Sequence, residues 1–155
     1  MMESKLLWIG ILINMNNKNI KNIIHNDELY SSIFDLDNTS EGLDFLTNDD
    51  AFVQVGTWKY EKGKILDAHY HNTFERKSYI TQEVVLVLEG IIICNLFTTD
   101  GEFIASEKIK ENQLIIQFQG IHEYEILENS KVLEIKNGPY FGPDKDRTRV
   151  NIRND

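Results

Sequence analysis

Cysteine is nearly absent from this chain. Among 155 residues only Cys94 carries a thiol, so no disulfide can form within the chain. A reducing compartment such as the cytoplasm is the matching expectation. Basic charge is also scarce: 16 Lys and Arg stand against 25 Asp and Glu, for a formal net charge of -9. That balance argues against nucleic acid or an anionic membrane as the main partner. A small-molecule ligand is left open, even an anionic one, because a metal or a few local cations can set the field inside a pocket. A membrane-length apolar run is missing as well. The run Leu6 to Ile13 in KLLWIGILIN is too short to span a bilayer, and no small-x-small cleavage signal follows it. It is expected to form an N-terminal strand, or to belong to an extension upstream of a start at Met15.

What is present is β-strand patterning. From about residue 50, AFVQVGTWKY, KILDAHYH, EVVLVLEG, IIICNLF, EFIASEKI, NQLIIQF, EYEILE and KVLEIK follow one another as short strand-like segments spaced about ten residues apart. The Asp100-Gly101 pair in TTDG suits a hairpin turn that needs positive φ. This spacing predicts an all-β sandwich or barrel with antiparallel neighbours. Helix is expected only before residue 50, in IKNIIHNDELYSSIFD and SEGLDFLTND, where the pattern is weakly amphipathic. The expected organisation is an N-terminal extension over 1–49, a barrel over 50–137 and a tail over 138–155. Trp58 and Tyr79 are expected in the core or on a pocket wall, and Cys94 as a buried, inert thiol.

One stretch concentrates candidate chemistry. In GKILDAHYHNTFERKSYITQEVVLVLEG, His69 and His71 lie two apart in a strand-like run and can share a face. Glu83 opens the next strand-like run, and His122 in FQGIHEYEIL could join them. Three imidazoles and a carboxylate suit a divalent transition metal (Fe, Mn, Ni, Co or Zn) and would leave positions open for water or substrate. His122 shares its strand face with Tyr124.

The arrangement Gly63, five residues, His69-Tyr70-His71, then Glu83, six residues and Gly90 resembles the first motif of the cupin family. The gap from Asn72 to Gln82 is longer than that motif usually allows, which makes Glu75 a rival to Glu83; Glu83 is preferred for its spacing to Gly90. Asn112, Phe118-Gln119-Gly120 and His122 loosely resemble the second motif, with Asn for Gly, Phe for Pro and one residue fewer before the histidine. The resemblance implies a jelly-roll β-barrel, His69, His71, Glu83 and His122 as metal ligands, and a homodimer. The tail VLEIKNGPYFGPDKDRTRV is similar to the end of the type II mannose-6-phosphate isomerase cupins, through Glu134, Gly138, Tyr140, Gly142, Asp144, Asp146 and Arg149. There Pro139 and Pro143 would stiffen a clasp.

The resemblance implies an enzyme acting on a sugar, sugar phosphate or nucleotide-linked sugar. The reaction would be of isomerase or epimerase type, with Glu83, His122 or Tyr124 moving a proton. An iron-dependent dioxygenase of a small organic acid or thiol, and a non-catalytic metal- or carbohydrate-binding barrel, are the alternatives. Lys145, Arg147 and Arg149, together with Arg76 and Lys77 in the long gap, are the candidate cations for a phosphate.

Overall fold

The computed structural model describes residues 20–152. Ten strands follow in order: β1 (Ile20–His25), β2 (Glu28–Asp35), β3 (Gly42–Phe45), β4 (Gly56–Lys59), β5 (Glu83–Glu89), β6 (Ile91–Phe97), β7 (Phe103–Lys110), β8 (Gln113–Gln117), β9 (Ile121–Ile126) and β10 (Lys131–Lys136). The one α-helical piece is a single turn, α1 (Pro143–Asp146). The fold is all-β. Among the described residues, no helix is long and apolar enough to cross a membrane. The apolar run at residues 6–13 lies outside the described residues.

Among the described residues before 50, strands form in place of the expected helix, with a single 3-10 turn at Leu36–Asn38. IKNIIHNDELYSSIFD folds as the β1–β2 hairpin, paired antiparallel from Ile20↔Phe34 to His25↔Glu28. The reason is the two-residue turn: Asn26 and Asp27 both hold positive φ, 51° and 63°, which short polar side chains tolerate and which matches the twist of the flanking strands. β2 then pairs with β8, so residues 20–35 belong to the main sheet rather than to an extension packed on it.

Two sheets carry the fold. One has the order β1-β2-β8-β5-β10, and the other β7-β6-β9; β3 and β4 pair separately. All these pairings are antiparallel. The core between the two large sheets includes Ile33, Val85, Val87 and Ile115 from the first and Ile92, Cys94, Leu96 and Ile109 from the second. The other face of the five-stranded sheet is also covered: Phe34, Val84, Leu114 and Ile116 pack with Leu46 and Val53 from the β3–β4 connection. Burial on both faces explains why β5 reads as a near-continuous apolar run. Burying each large aliphatic side chain contributes about 1.5–3 kcal/mol.

The chain crosses from one sheet to the other at sharp corners. At Gly90, between β5 and β6, φ is 83° and an added Cβ would lie 2.3 Å from the Asn129 carbonyl oxygen. At Gly120, before β9, φ is again 83° and a Cβ would meet the Phe97 carbonyl oxygen at 2.6 Å. Asn112 takes φ 63° between β7 and β8. Its amide donates to the Val87 carbonyl at 3.0 Å, and its carbonyl accepts from Leu36 N–H at 2.8 Å.

Residues 60–81 behave differently. KILDAHYH does not become a strand, and the segment carries no regular structure beyond a turn near Gly63. Period-2 patterning makes a strand only where a sheet edge accepts its backbone, and here no ladder does. Trp58, expected in the core or on a pocket wall, is 64% exposed; Tyr79 is 81% exposed and lines an open cavity with Ser78, Ile80 and Asn137.

Candidate active site

Register places a polar row across one end of the five-stranded sheet. Ser31 lies opposite Gln117, Gln117 opposite Glu83, and Glu83 opposite Lys136. Strand alternation gives these four the same face as Val85, Val87 and Ile115, which is the face turned toward the other sheet. On that other sheet Tyr124 pairs with Cys94 and His122 with Leu96, so both β9 side chains share the face of the core residues Cys94 and Leu96. The interior is therefore apolar along most of its length and polar at one end.

Glu83 is the centre of that end. It is buried, yet both carboxylate oxygens are engaged: Oε1 lies 2.9 Å from His122 Nε2 and Oε2 lies 3.1 Å from Lys136 Nζ. Burial alone would raise its pKa; the hydrogen bonds and charges of His122 and Lys136 outweigh burial and hold the carboxyl below its usual range. Lys136 also pairs with Glu134. That bond is the main cause of a raised Lys136 pKa, opposed by burial and helped by Glu83. The start of β5 is anchored through Gln82: its backbone N–H donates to Asn137 Oδ1 at 2.6 Å, and its side-chain oxygen accepts from Val53 N–H at 3.0 Å.

Behind His122 sits a second polar group. Gln117 Nε2 donates to Cys94 Sγ at 3.0 Å and to the Tyr124 hydroxyl oxygen at 3.4 Å. Burial pushes the Cys94 thiol up to about 12, which makes it an inert thiol rather than a nucleophile. Burial raises the Tyr124 hydroxyl well above its ordinary value, so it stays protonated at neutral pH and acts as a hydrogen-bonding hydroxyl rather than as a base. The rings of His122 and Tyr124 are 5.6 Å apart.

These groups open onto a cavity of about 580 Å³. Glu83, His122, Tyr124 and Lys136 line one side, and the tail contributes Arg147 and Arg149. The tail is fastened by Thr81, whose hydroxyl donates to Asp146 Oδ1 at 3.0 Å.

The four residues expected as metal ligands are not brought together. His122 and Glu83 meet, but His69 and His71 sit exposed in the 60–81 segment with their rings 5.3 Å from each other. Among the described residues, no group of three or more His, Cys, Asp and Glu side chains is placed to hold an ion. Lys136 holds the second oxygen of Glu83, a position a ligand carboxylate would present to the metal. The donor set as placed does not fit a metal. Glu75, the rival carboxylate, is exposed and lies 3.5 Å from Lys77.

Lys136 and Gln117 were not legible as site residues. In KVLEIK, alternation puts Val132, Glu134 and Lys136 on one face, but only the Lys136↔Glu83 register reveals the pairing. Comparison with protein-family models, curated proteins and solved structures gives no match for this chain.

Proposed function

We propose that this chain is an enzyme that moves protons on a small carbohydrate, of isomerase or epimerase type, on a cupin-like barrel. The observation that carries this reading is the Glu83–His122 bond of 2.9 Å on the wall of a cavity that Tyr124 also lines. With Glu83 ionised, His122 Nε2 must carry the shared hydrogen. Nδ1 is then the lone-pair nitrogen whenever the ring is neutral. It can take a proton from a carbon next to a carbonyl, while Glu83 stabilises the imidazolium that results. Tyr124 donates a hydrogen bond to the carbonyl oxygen as negative charge develops there, keeping its own proton. The imidazolium returning this proton to the neighbouring carbon, as the adjacent hydroxyl passes its proton to the enediolate oxygen, gives an aldose–ketose isomer. Water delivering a proton to the other face of the same carbon, with His122 releasing its proton to water, gives an epimer. Lys136 keeps Glu83 charged throughout. The cupin assignment rests on Glu83 opening a strand that ends at Gly90, and on the left-handed corners at Gly90, Asn112 and Gly120.

The test is deuterium uptake from heavy water into a panel of aldoses and ketoses, followed by NMR. Catalysed exchange that disappears in His122→Asn and falls at least about 100-fold in Tyr124→Phe is the expected outcome. Exchange that survives both substitutions would overturn the reading.

For a protein partner we infer a second copy of this chain. Leu43, Phe45, Trp58, Ile65, Tyr70, Phe74 and Tyr79 are each at least half exposed, as are Tyr140 and Phe141 in the tail. Side chains of this size expose on the order of 1,000 Å² together, against roughly 800 Å² per partner in a standard interface. Among the described residues the outer edges of β9 and β10 carry no neighbouring strand, and open edges accept added strands. The single buried thiol supports a cytoplasmic setting.

A further inference from the structure

We infer that Gln117 is a positioning residue: its buried carboxamide aims the Tyr124 hydroxyl hydrogen into the cavity, at a cost in fold stability. The inference rests on the reading of Tyr124 as the group that hydrogen-bonds the developing oxyanion, and it adds what keeps that hydrogen free.

Gln117 is a polar side chain that gains little from where it lies. It is only 3% exposed, on the sheet face turned toward the other sheet. A carboxamide offers two N–H donors and an acceptor oxygen, and all of them give up water on burial. In return Nε2 donates to Cys94 Sγ at 3.0 Å and to the Tyr124 hydroxyl oxygen at 3.4 Å. Sulfur is a weak acceptor, and the second bond is long. Oε1 is buried and accepts from no donor among the described residues. Ser31, next in the same row, is as deeply buried but satisfied, since its hydroxyl donates to the Ile116 carbonyl at 2.7 Å. An apolar side chain of similar length would serve packing better than Gln117 does, because a bare buried acceptor is destabilising. Packing therefore does not account for the amide.

What the amide does is set the direction of a hydrogen. Because Gln117 Nε2 donates to the Tyr124 oxygen, the hydroxyl hydrogen must point elsewhere. The Cys94 sulfur is within hydrogen-bonding reach of the hydroxyl, but it already receives the same amide and is a weak acceptor. A substrate oxygen that gains negative charge therefore takes the hydrogen over. An amide turned the other way would reverse this. Its carbonyl would accept the Tyr124 hydrogen, and its N–H groups would be left bare, which folded interiors tolerate less than a bare carbonyl. Burial raises the Tyr124 pKa and the Gln117 bond acts against that rise, so the same bond strengthens the hydroxyl as a donor.

Two substitutions in the full chain separate positioning from packing. Gln117→Met should unfold at higher urea than the parent, yet catalyse deuterium exchange into the sugar panel about tenfold more slowly, with the half-saturating sugar concentration unchanged. Ser31→Ala should do the reverse, unfolding at lower urea and exchanging within about threefold of the parent. The ring carbon that bears the Tyr124 hydroxyl, isotope-labelled and assigned through Tyr124→Phe, reports on the hydroxyl directly. Its NMR signal should move in Gln117→Met and stay in place in Ser31→Ala. A Gln117→Met protein less stable than the parent, exchange equal to the parent's, or an unmoved Tyr124 signal would overturn the inference. The two readings fail separately. A moved signal and a raised urea midpoint, with no exchange into any sugar by the parent, remove only the acid–base reading. Exchange that needs His122 and Tyr124 but survives Gln117→Met removes only the positioning role.

Discussion

Two regions of this molecule carry histidines that the sequence marks alike, and the fold treats them in opposite ways. His122 lies on β9, where register sets it opposite Leu96 and its ring meets a buried carboxylate. His69 and His71 lie in a segment with no ladder, exposed, with His69 Nδ1 3.1 Å from the Asp67 carbonyl oxygen. Residue type is the same in both places. The difference is whether the backbone beneath the side chain is held by its neighbours, because only a held backbone directs a side chain to a defined point.

The sharpest way to break that comparison is kinetic. If the work is done on the strands, His122→Asn should abolish catalysed deuterium exchange, a loss of at least about 100-fold. His71→Ala should leave exchange within about threefold; a loss equal to that of His122→Asn would mean that the 60–81 segment reaches the cavity in solution. Metal content of the His71→Ala protein sharpens the same point. A purified parent that carries metal and loses it in this variant would join the two regions into one site.

A second contrast is stability. Glu83→Ala removes the buried partner shared by Lys136 and His122 and is expected to cost about 1–3 kcal/mol in denaturant unfolding, because both partners reach solvent and Lys136 keeps Glu134. Glu75→Ala, which removes an exposed partner of Lys77, is expected to cost no more than about 0.5 kcal/mol. Equal effects would remove Glu83 from its central place.

The acid limb follows from the sign of the Glu83 shift. Its folded pKa lies below its ordinary value, so it binds fewer protons folded than unfolded. Its stabilising contribution is complete above the ordinary carboxylate range and is lost as pH falls through the depressed folded value. Urea midpoints measured across that range should drop more for the parent than for Glu83→Gln.

Smaller effects bear on the exposed segment and the core. Limited trypsin digestion should cut first after Lys62, Lys64, Arg76 or Lys77, where the backbone is exposed. Sedimentation should give a dimer that dissociates when Ile65 and Tyr70 are both changed to Asp. Protection of those cleavage sites in the dimer alone would show that a second copy covers the segment. Cys94, with its pKa pushed up to about 12, should resist iodoacetamide in the native protein and react only on unfolding.

Much of the strand content was readable in advance. β5 to β10 fall where alternation and turn residues put them, since Gly90, Asp100-Gly101 and Asn112 are positions where left-handed or tight backbone is needed. The N-terminal hairpin was not readable by period, because Ile23, Ile33 and Phe34 are buried on both faces of their sheet and blur the alternation. Glu83, His122 and Tyr124 could be named as candidates from their places on strands. Lys136 and Gln117 could not, because pairing across strands more than thirty residues apart is a property of register.

The sequence by itself determined an all-β chain with one thiol, acidic overall, with Glu83 at a strand start and His122 and Tyr124 sharing a strand face. Local backbone preference and period-2 burial suffice for that, since both act within a few residues. Tertiary structure alone decided that Glu83 would be met by His122 and Lys136, that Arg147 and Arg149 would line the same cavity, and that His69 and His71 would stand apart from it. Those outcomes depend on which strand edges accept hydrogen bonds from which partners, and that choice is made by the packing of the whole chain.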